Sequence, residues 1–214
     1  MADLLRRYTS LSLLLDVLEN RQITLVDPQK WDDRNDAEFL RIYQEKAGIG
    51  SLLALCFSEV ADTYHHWKIY GSGLEGVCIL FRRKKLEKLL KKDTCIEFRK
   101  VRYRTLKFFR EGGGSLDRMP FYKREGYEAE AEWRVIAKLK QPNEFLYQVP
   151  ITPDCIDKVI LSPWMPASLH ATTRKLLREI RGFEKLPVSR SRLISSASWR
   201  RAGERMSKRR KKFR

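Results

Sequence analysis

Two glutamates in the second half of the chain have the spacing of a functional carboxylate pair. Glu130 and Glu132 open a segment, Glu130–Lys138, whose alternation of polar and apolar side chains predicts a β-strand. Residues two apart in a strand lie on one face, so we expect both carboxylates to point the same way. The preceding residues 112–126 are rich in glycine and aromatic side chains, which is typical of a mobile loop that contacts substrate. The alternative is a solvated sheet face, on which the glutamates pair with Arg134 or with a lysine across the sheet.

A second cluster combines histidine and aromatic side chains. His66, Trp67 and Tyr70 lie in a predicted helix, Asp62–Tyr70, where His66 and Tyr70 share a face and Trp67 adjoins them. Such a face could stack a nucleobase or a nicotinamide ring, with His66 as a general acid or base. The alternative is that Trp67 and Tyr70 anchor the core and His66 is half exposed. We expect the core position for Trp67, and we leave His66 open.

The remaining polar motifs argue against several classes of protein. An acidic turn over residues 32–38 is conceivable as a metal site, but we interpret Asp33 or Asn35 as the N-cap of a helix. No further His, Cys or acidic residues have the spacing of zinc ligands, so we predict no metal site. The sequence contains no P-loop, dinucleotide-binding, zincin or esterase motif. The four cysteines lack C-x-x-C spacing, which favours reduced thiols and a cytoplasmic protein.

Strands and helices are predicted in a mixed order, which favours an α+β fold over a doubly wound one. We expect a single domain over residues 1–195, with one mixed sheet flanked by helices. The predicted helices are Ser10–Asn20, Asp36–Lys46, Asp62–Tyr70, Lys84–Lys92 and Ala167–Ile180. The other predicted strands are Ile23–Val26, Leu52–Ser58, Gly76–Phe81, Cys95–Tyr103, Phe145–Val149, Lys158–Leu161 and Val188–Ile194.

Nearly half of the net charge of +17 lies in the last sixteen residues of the chain. Residues 199–214 contain nine basic residues and one acidic residue, and we predict that residues 196–214 form a disordered tail. Such a tail can bind nucleic acid by neutralising phosphates, although it could also serve only as a solubilising segment or, less favoured, contact an anionic membrane surface. The candidate nucleic-acid-binding residues are Arg200, Arg201, Arg205, Lys208, Arg209, Arg210, Lys211 and Lys212.

The predicted domain also contains smaller basic clusters, at residues 82–92 and 99–107. We interpret most of them as solvated surface, with a basic groove shared with the tail as the alternative.

The longest apolar runs are too short to span a bilayer, and no signal peptide is recognisable, so we expect no membrane span.

Several short motifs follow one another along residues 1–195. They are Arg7-Tyr8-Thr9-Ser10, Trp31-Asp32-Asp33, Cys56-Phe57-Ser58, His66-Trp67, Gly76 to Phe81, Val101-Arg102-Tyr103, Tyr127 to Arg134 and Ile156 to Pro163. In this order they resemble a large prokaryotic family of domains of unknown function, DUF2971, whose patterns include C-F-S, G-x-C-I-x-F and Y-E-x-E-x-R. His66 stands where the family has methionine, and Arg34 where it has proline. These departures leave the turn at Asp33 and any polar role of the His66 helix open.

Three of these residues also resemble, in their order, the strand residues of ADP-ribosyltransferases. That family has an early Arg or His, a middle Ser or Tyr, and a Glu after a loop; here Arg7, Ser58 and Glu132 fall in that order. The resemblance implies that NAD is bound, with Arg7 on the pyrophosphate and Ser58 on the nicotinamide ribose. A glutamate of the Glu130/Glu132 pair would bind the ribose and stabilise an oxocarbenium-like centre as nicotinamide leaves.

Three hypotheses for function follow from these observations. The first is a prokaryotic or phage-related protein that contacts nucleic acid and carries out ADP-ribosyl transfer, as a toxin or defence effector. The second is a nucleic-acid-binding module without enzymatic activity, in which the Glu130–Lys138 strand is structural. The third is an enzyme that acts on a small phosphorylated substrate, with an incidental tail.

Overall fold

A large, mostly antiparallel sheet organises the chain. The structure, a computed structural model, describes residues 3–209. Its strands are β1 (Leu4–Ser10), β2 (Gln22–Val26), β3 (Ser51–Ser58), β4 (Gly76–Arg82), β5 (Ile96–Lys100), β6 (Arg102–Arg104), β7 (Tyr122–Arg124), β8 (Glu132–Leu139), β9 (Leu146–Pro150), β10 (Ile156–Leu161) and β11 (Val188–Arg190). Its helices are α1 (Leu11–Asn20), α2 (Arg34–Lys46), α3 (Tyr64–Tyr70), α4 (Arg83–Leu90), α5 (Leu106–Arg110), α6 (Ala167–Glu179) and α7 (Ala197–Arg209). The predicted α+β class is confirmed.

Strand β3 is the junction of the sheet. Along one edge it pairs with β8 over its whole length, from Ser51 opposite Leu139 to Ser58 opposite Glu132. On its other edge it pairs with β1 only at Ser58 and with β2 only at Ala54. The strands β1 and β2 therefore separate along β3, and the backbone between Ala54 and Ser58 lies open to the gap between them.

The two faces of the sheet have different cover. On one face, α1, α4 and α6 contribute Leu14, Leu18, Leu86, Leu90 and Leu177 to the main core. On the other face, two smaller clusters form, one around Leu40 of α2 and one around Trp67 of α3. Because α2 and α3 cover separate parts of this face, the gap between β1 and β2 is flanked by a helix on each side.

Side-chain caps fix where α1 and α2 begin. The Ser10 hydroxyl accepts a hydrogen bond from the Leu13 N–H, and α1 begins after it as predicted. The Asp33 carboxylate accepts from the N–H groups of Asn35 and Asp36, which confirms the expected N-cap of α2. This cap places Asp36 in the first turn of α2, facing the sheet.

One predicted strand is divided in the structure. The strand predicted over Cys95–Tyr103 is divided into β5, which pairs with β8, and β6, which pairs with β7 in a separate two-stranded sheet. The division occurs at Val101, which is buried and whose N–H donates to the Glu132 carbonyl. The chain therefore leaves the main sheet beside the first residue of β8.

The predicted tail begins as a helix. Residues 197–209 form α7, and the Ser196 hydroxyl accepts a hydrogen bond from the Trp199 N–H at its first turn. This capping contact gives the start of the tail a helical nucleus, which its charge pattern alone does not indicate. Arg200, Arg201 and Arg205 are exposed on α7. Arg210, Lys211 and Lys212 lie outside the described residues, and nucleic-acid contact by the tail stays a prediction.

Candidate active site

A cleft of about 540 Å³ occupies the gap between β1 and β2. Its floor is the open edge of β3, and its walls come from β1, from the loop before α2, from α3 and from the segment that enters β8. The volume lies within the range of small-molecule sites in proteins. These walls carry charged side chains, so the cleft is suited to a polar ligand.

Arg7, Ser58 and Glu132 line this one cleft, although they are far apart in sequence. Ser58 faces Glu132 directly across the β3–β8 pair, and it pairs on its other side with Arg6 of β1. The Arg7 guanidinium donates to the Cys56 carbonyl, 3.0 Å away, which is part of the open edge of β3. In a continuous sheet, the Cys56 carbonyl would accept a hydrogen bond from a neighbouring strand. Because β1 and β2 separate here, it accepts one from Arg7 instead.

Glu130 and Glu132 both line the cleft, but the backbone that carries them differs from the sequence prediction. The strand β8 begins at Glu132, whereas Glu130 ends a 3₁₀ turn over Glu125–Glu130. Ala131, between them, has a left-handed backbone with φ 42°. The expectation that both carboxylates share one strand face is therefore wrong. This kink in the backbone brings the Glu130 side chain to the cleft from outside the sheet.

Glu132 is held by a buried ion pair with Arg134. Only 3% of Glu132 and 0% of Arg134 are exposed. The Arg134 Nε donates to Glu132 Oε1 at 2.6 Å, and its Nη2 donates to Oε2 at 3.1 Å. Burial alone would raise the pKa of Glu132, but the charge and hydrogen bonds of Arg134 lower it to about 2. Glu132 is therefore a fixed, ionised carboxylate and not part of a solvated face.

The same arginine joins the sheet to helix α2. Arg134 Nη2 donates to Asp36 Oδ2 at 2.6 Å, and Nη1 donates to Asp36 Oδ1 at 3.1 Å. Nη1 also donates to the Pro120 carbonyl at 2.9 Å, and the guanidinium lies 5.2 Å from the centre of the Trp31 ring. Every side of the guanidinium thus has a partner, which orients Glu132 from behind the cleft.

Lys123 is the second cation of this wall, and it was not among the residues proposed from sequence. Its Nζ lies 2.6 Å from Glu130 Oε2 and 3.3 Å from Glu132 Oε2. Burial alone would lower the pKa of Lys123, but Glu132 and Glu130 more than offset this and raise it. With Asp36 also 3.7 Å away, three carboxylates surround two buried cations, and this wall keeps an excess of negative charge.

Tyr70 and His66 position Glu130. The Tyr70 hydroxyl donates to Glu130 Oε1 at 2.5 Å. The His66 ring has Nε2 3.2 Å from the Glu130 carbonyl oxygen and Nδ1 2.6 Å from the Thr63 hydroxyl. Burial lowers the pKa of His66, which favours the neutral ring. Since both ring nitrogens have partners in the chain, this geometry favours a positioning role for His66 over the proposed acid–base role.

Trp67 lies in the core and not in the cleft. Only 1% of it is exposed, and it packs with Tyr8, Cys78 and Leu80. Its indole N–H donates to Asp62. The expected core position is confirmed, and the arrangement gives Trp67 no surface on which a ligand ring could stack. Tyr70, by contrast, lines the cleft, as do Arg6 and Tyr127.

The segment 112–126, predicted as a mobile loop, contains ordered structure. A 3₁₀ turn over Leu116–Phe121 leads directly into β7, and both Phe121 and Tyr122 are buried. The two aromatic side chains are packing anchors, so the expectation of a substrate loop is wrong for this part. These anchors place Lys123, the next residue, in the wall of the cleft.

The comparison with protein families agrees with the order of motifs in the sequence. A family model matches residues 66–135, which contain most of α3, all of β4 and the Glu130 to Arg134 segment. The matched family is DUF2971, described as a protein of unknown function. The predicted resemblance to this family is confirmed over these residues. No curated protein matches the chain.

Two solved structures are similar to this chain. Thermus sp. 2.9 DarT in complex with carba-NAD+ shares 11% identity, with a TM-score of 0.43, over 90% of this chain and 96% of that chain. Thermus sp. 2.9 DarT in complex with NAD+ shares 8% identity, with a TM-score of 0.44, over 89% of this chain and 96% of that chain.

Within residues 3–209, no helix is both long enough and apolar enough to cross a membrane. Within the same range, no group of three or more His, Cys, Asp and Glu residues is arranged to hold a metal ion.

Proposed function

We propose that the cleft binds NAD+ and transfers its ADP-ribosyl group to an acceptor. In this reaction the bond between nicotinamide and ribose C1′ breaks, and the bonding electrons leave with nicotinamide. The acceptor oxygen or nitrogen then forms a bond to C1′ and releases its proton. Positive charge develops on the ribose in between, so the site must stabilise a cationic, oxocarbenium-like centre.

The observation that carries this proposal is the separation of charge across the cleft. Arg6 and Arg7 lie on the β1 wall, and the carboxylates of Glu130 and Glu132 lie on the β8 wall. NAD+ has the complementary pattern, with an anionic pyrophosphate and a cationic nicotinamide ribose. Guanidinium groups form bidentate hydrogen bonds with phosphate, so the β1 wall suits the pyrophosphate.

The carboxylates of the β8 wall have different proposed roles. Glu132, ionised and fixed by Arg134, would stabilise the developing positive charge without reorganisation. Glu130 is more accessible, with 14% of its side chain exposed, and would orient a ribose hydroxyl or the acceptor. Ser58, opposite Glu132, would contact the nicotinamide ribose. Its hydroxyl now donates to the Glu130 carbonyl, and an incoming ribose hydroxyl would share it.

The proposal is tested by incubating the full chain with NAD+ labelled in its adenylate part, together with single-stranded DNA or RNA. We expect label on the acceptor and an equal amount of free nicotinamide. Release of nicotinamide without labelled acceptor would support the NAD+ site but contradict nucleic acid as the acceptor. No release of nicotinamide with either acceptor, or with water alone, would contradict the proposal.

We propose nucleic acid as the acceptor because the chain is strongly basic. The role of the tail in binding can be tested separately. Removal of residues 199–214 takes away nine basic residues and one acidic residue. We expect weaker binding of a labelled oligonucleotide and a smaller dependence of the binding constant on salt, because fewer counterions are released. Titrations at several salt concentrations measure both. An unchanged affinity would assign the tail no part in binding.

A role as a toxin or defence effector in the cytoplasm would follow from this chemistry. An enzyme that consumes NAD+ and modifies nucleic acid would slow the growth of the cell that contains it. The binding-module hypothesis has less support, because a structural strand has no need of the buried Glu132 and Arg134 pair beside a cleft.

A further inference from the structure

A second concave surface, which we call the basic groove, lies on β5 and β6. Its volume is about 490 Å³. Its floor is apolar and includes the buried Phe121 and Tyr122. The cations that line it are Arg99, Lys100, Arg102, Arg104 and Arg118. Glu128 is the one acidic residue among its lining, so the groove is strongly positive.

Three of these cations have no carboxylate partner in the part of the chain that the structure describes. Arg99 is paired with Glu97 at 2.6 Å, and Lys100 is paired with Glu59 at 2.6 Å. Arg102, Arg104 and Arg118 form no such salt bridge within residues 3–209. Because unneutralised cations around a concave surface repel one another, they favour an anionic ligand.

The basic groove and the cleft share one wall. Tyr103 lines the groove, and its hydroxyl accepts the N–H of Glu132 at 2.8 Å. In β7, Tyr122 lines the groove while the next residue, Lys123, lines the cleft. The 3₁₀ turn Glu125–Glu130 likewise carries Glu128 to the groove and Glu130 to the cleft. A polymer held in the groove would therefore pass close to the carboxylates of the cleft.

We propose that the basic groove binds the sugar–phosphate backbone of a nucleic acid. Arg102 and Arg104 are two residues apart in β6, which places them on one side of the strand about 6.6 Å apart. A row of guanidinium groups at such a spacing can contact successive phosphates of one chain, each by paired hydrogen bonds. That the basic groove holds the acceptor rests on the proposed function, but that it binds nucleic acid does not.

A free nucleotide presents the same phosphate chemistry, but it fits the arrangement of the cations less well. The five cations come from three elements, β5, β6 and the Leu116–Phe121 turn, so they are distributed over the lining of the groove. A single phosphate could engage only one or two of them. A polymer engages several and releases a counterion at each contact, which makes the affinity depend steeply on salt.

The experiment compares two triple variants of the full chain, without NAD+. The groove variant is Arg102→Ala, Arg104→Ala and Arg118→Ala. The matched control is Lys84→Ala, Lys88→Ala and Lys91→Ala, which removes the same charge from the exposed surface at α4. The probe is a labelled oligothymidylate, titrated at several salt concentrations, with thymidine monophosphate as competitor. Thermal unfolding of each variant verifies that it is folded.

We expect the groove variant to bind the oligothymidylate at least about tenfold more weakly than the control variant, and the slope of log K against log salt to fall by about 2. Equal losses in the two variants would mean that charge acts diffusely, and this would overturn the proposal. Competition by thymidine monophosphate at the same phosphate concentration as the polymer would overturn it in favour of a nucleotide site. Because NAD+ is absent, failure of the transferase proposal leaves this result unaffected.

Discussion

Replacement of Glu132 by glutamine is expected to reduce nicotinamide release from NAD+ by at least about a hundredfold, the cost typical of removing one preorganised electrostatic group. The amide keeps the size of the side chain but removes the negative charge opposite Ser58. Arg134 and Lys123 stay cationic and would offset the charges of Asp36 and Glu130, so the wall would lose its excess of negative charge and no longer stabilise the developing positive charge. The loss should therefore fall mainly on kcat, with a smaller change in KM.

The matched control for this variant is Glu125→Gln. Glu125 begins the same 3₁₀ turn that Glu130 ends, but it is exposed and does not line the cleft. We expect it to keep the activity of the original chain. Glu132→Asp, which retains the charge at a shorter reach, should recover part of the rate lost in Glu132→Gln. Rates are normalised to the folded fraction from circular dichroism. A Glu132→Gln chain that is folded and fully active would remove Glu132 from the mechanism.

The alternation from Glu132 onward could be interpreted from the sequence. It puts Trp133, Val135 and Ala137 on one side of the strand, and in the structure all three lie in the main core. The strand β1 has no such signal, because its sequence LLRRYTS does not alternate and its burial is irregular. The kink at Ala131 was also invisible, since alanine rarely adopts positive φ and no glycine or asparagine marks the turn.

The site was predictable in its order along the chain but not in its supporting contacts. Arg7, Ser58 and Glu132 could be proposed from their order because they resembled a family pattern. Lys123 could not, because β7 has only three residues and pairs in a separate small sheet. Asp36 meets Arg134 across 98 residues, and in the sequence it is indistinguishable from the acidic residues that favour a helix N-terminus. Long-range ion pairs of this kind depend on the tertiary fold.

Arg134→Met is expected to lower the free energy of unfolding by about 3–5 kcal/mol, the range observed when one partner of a buried ion pair is removed. Methionine approximates the volume of the arginine stem but leaves the buried carboxylates of Asp36 and Glu132 without their shared cation. Arg99, which pairs with Arg134 across β5 and β8, is exposed and gives a matched control. Arg99→Met should change stability by less than about 0.5 kcal/mol. Urea denaturation of the three chains measures these differences.

A milder variant separates positioning from stability. In Arg134→Lys the cation remains, but the fork that holds Glu132 and Asp36 together is lost. The pKa of Glu132, now about 2, should rise, because fewer hydrogen bonds favour its charged form. Glu132 must be ionised to act, so nicotinamide release should begin to fall at a higher pH as the solution is acidified. A purely structural arginine has no influence on the protonation of Glu132. A variant that is less stable but has an unchanged pH profile would therefore mean that Arg134 only stabilises the fold.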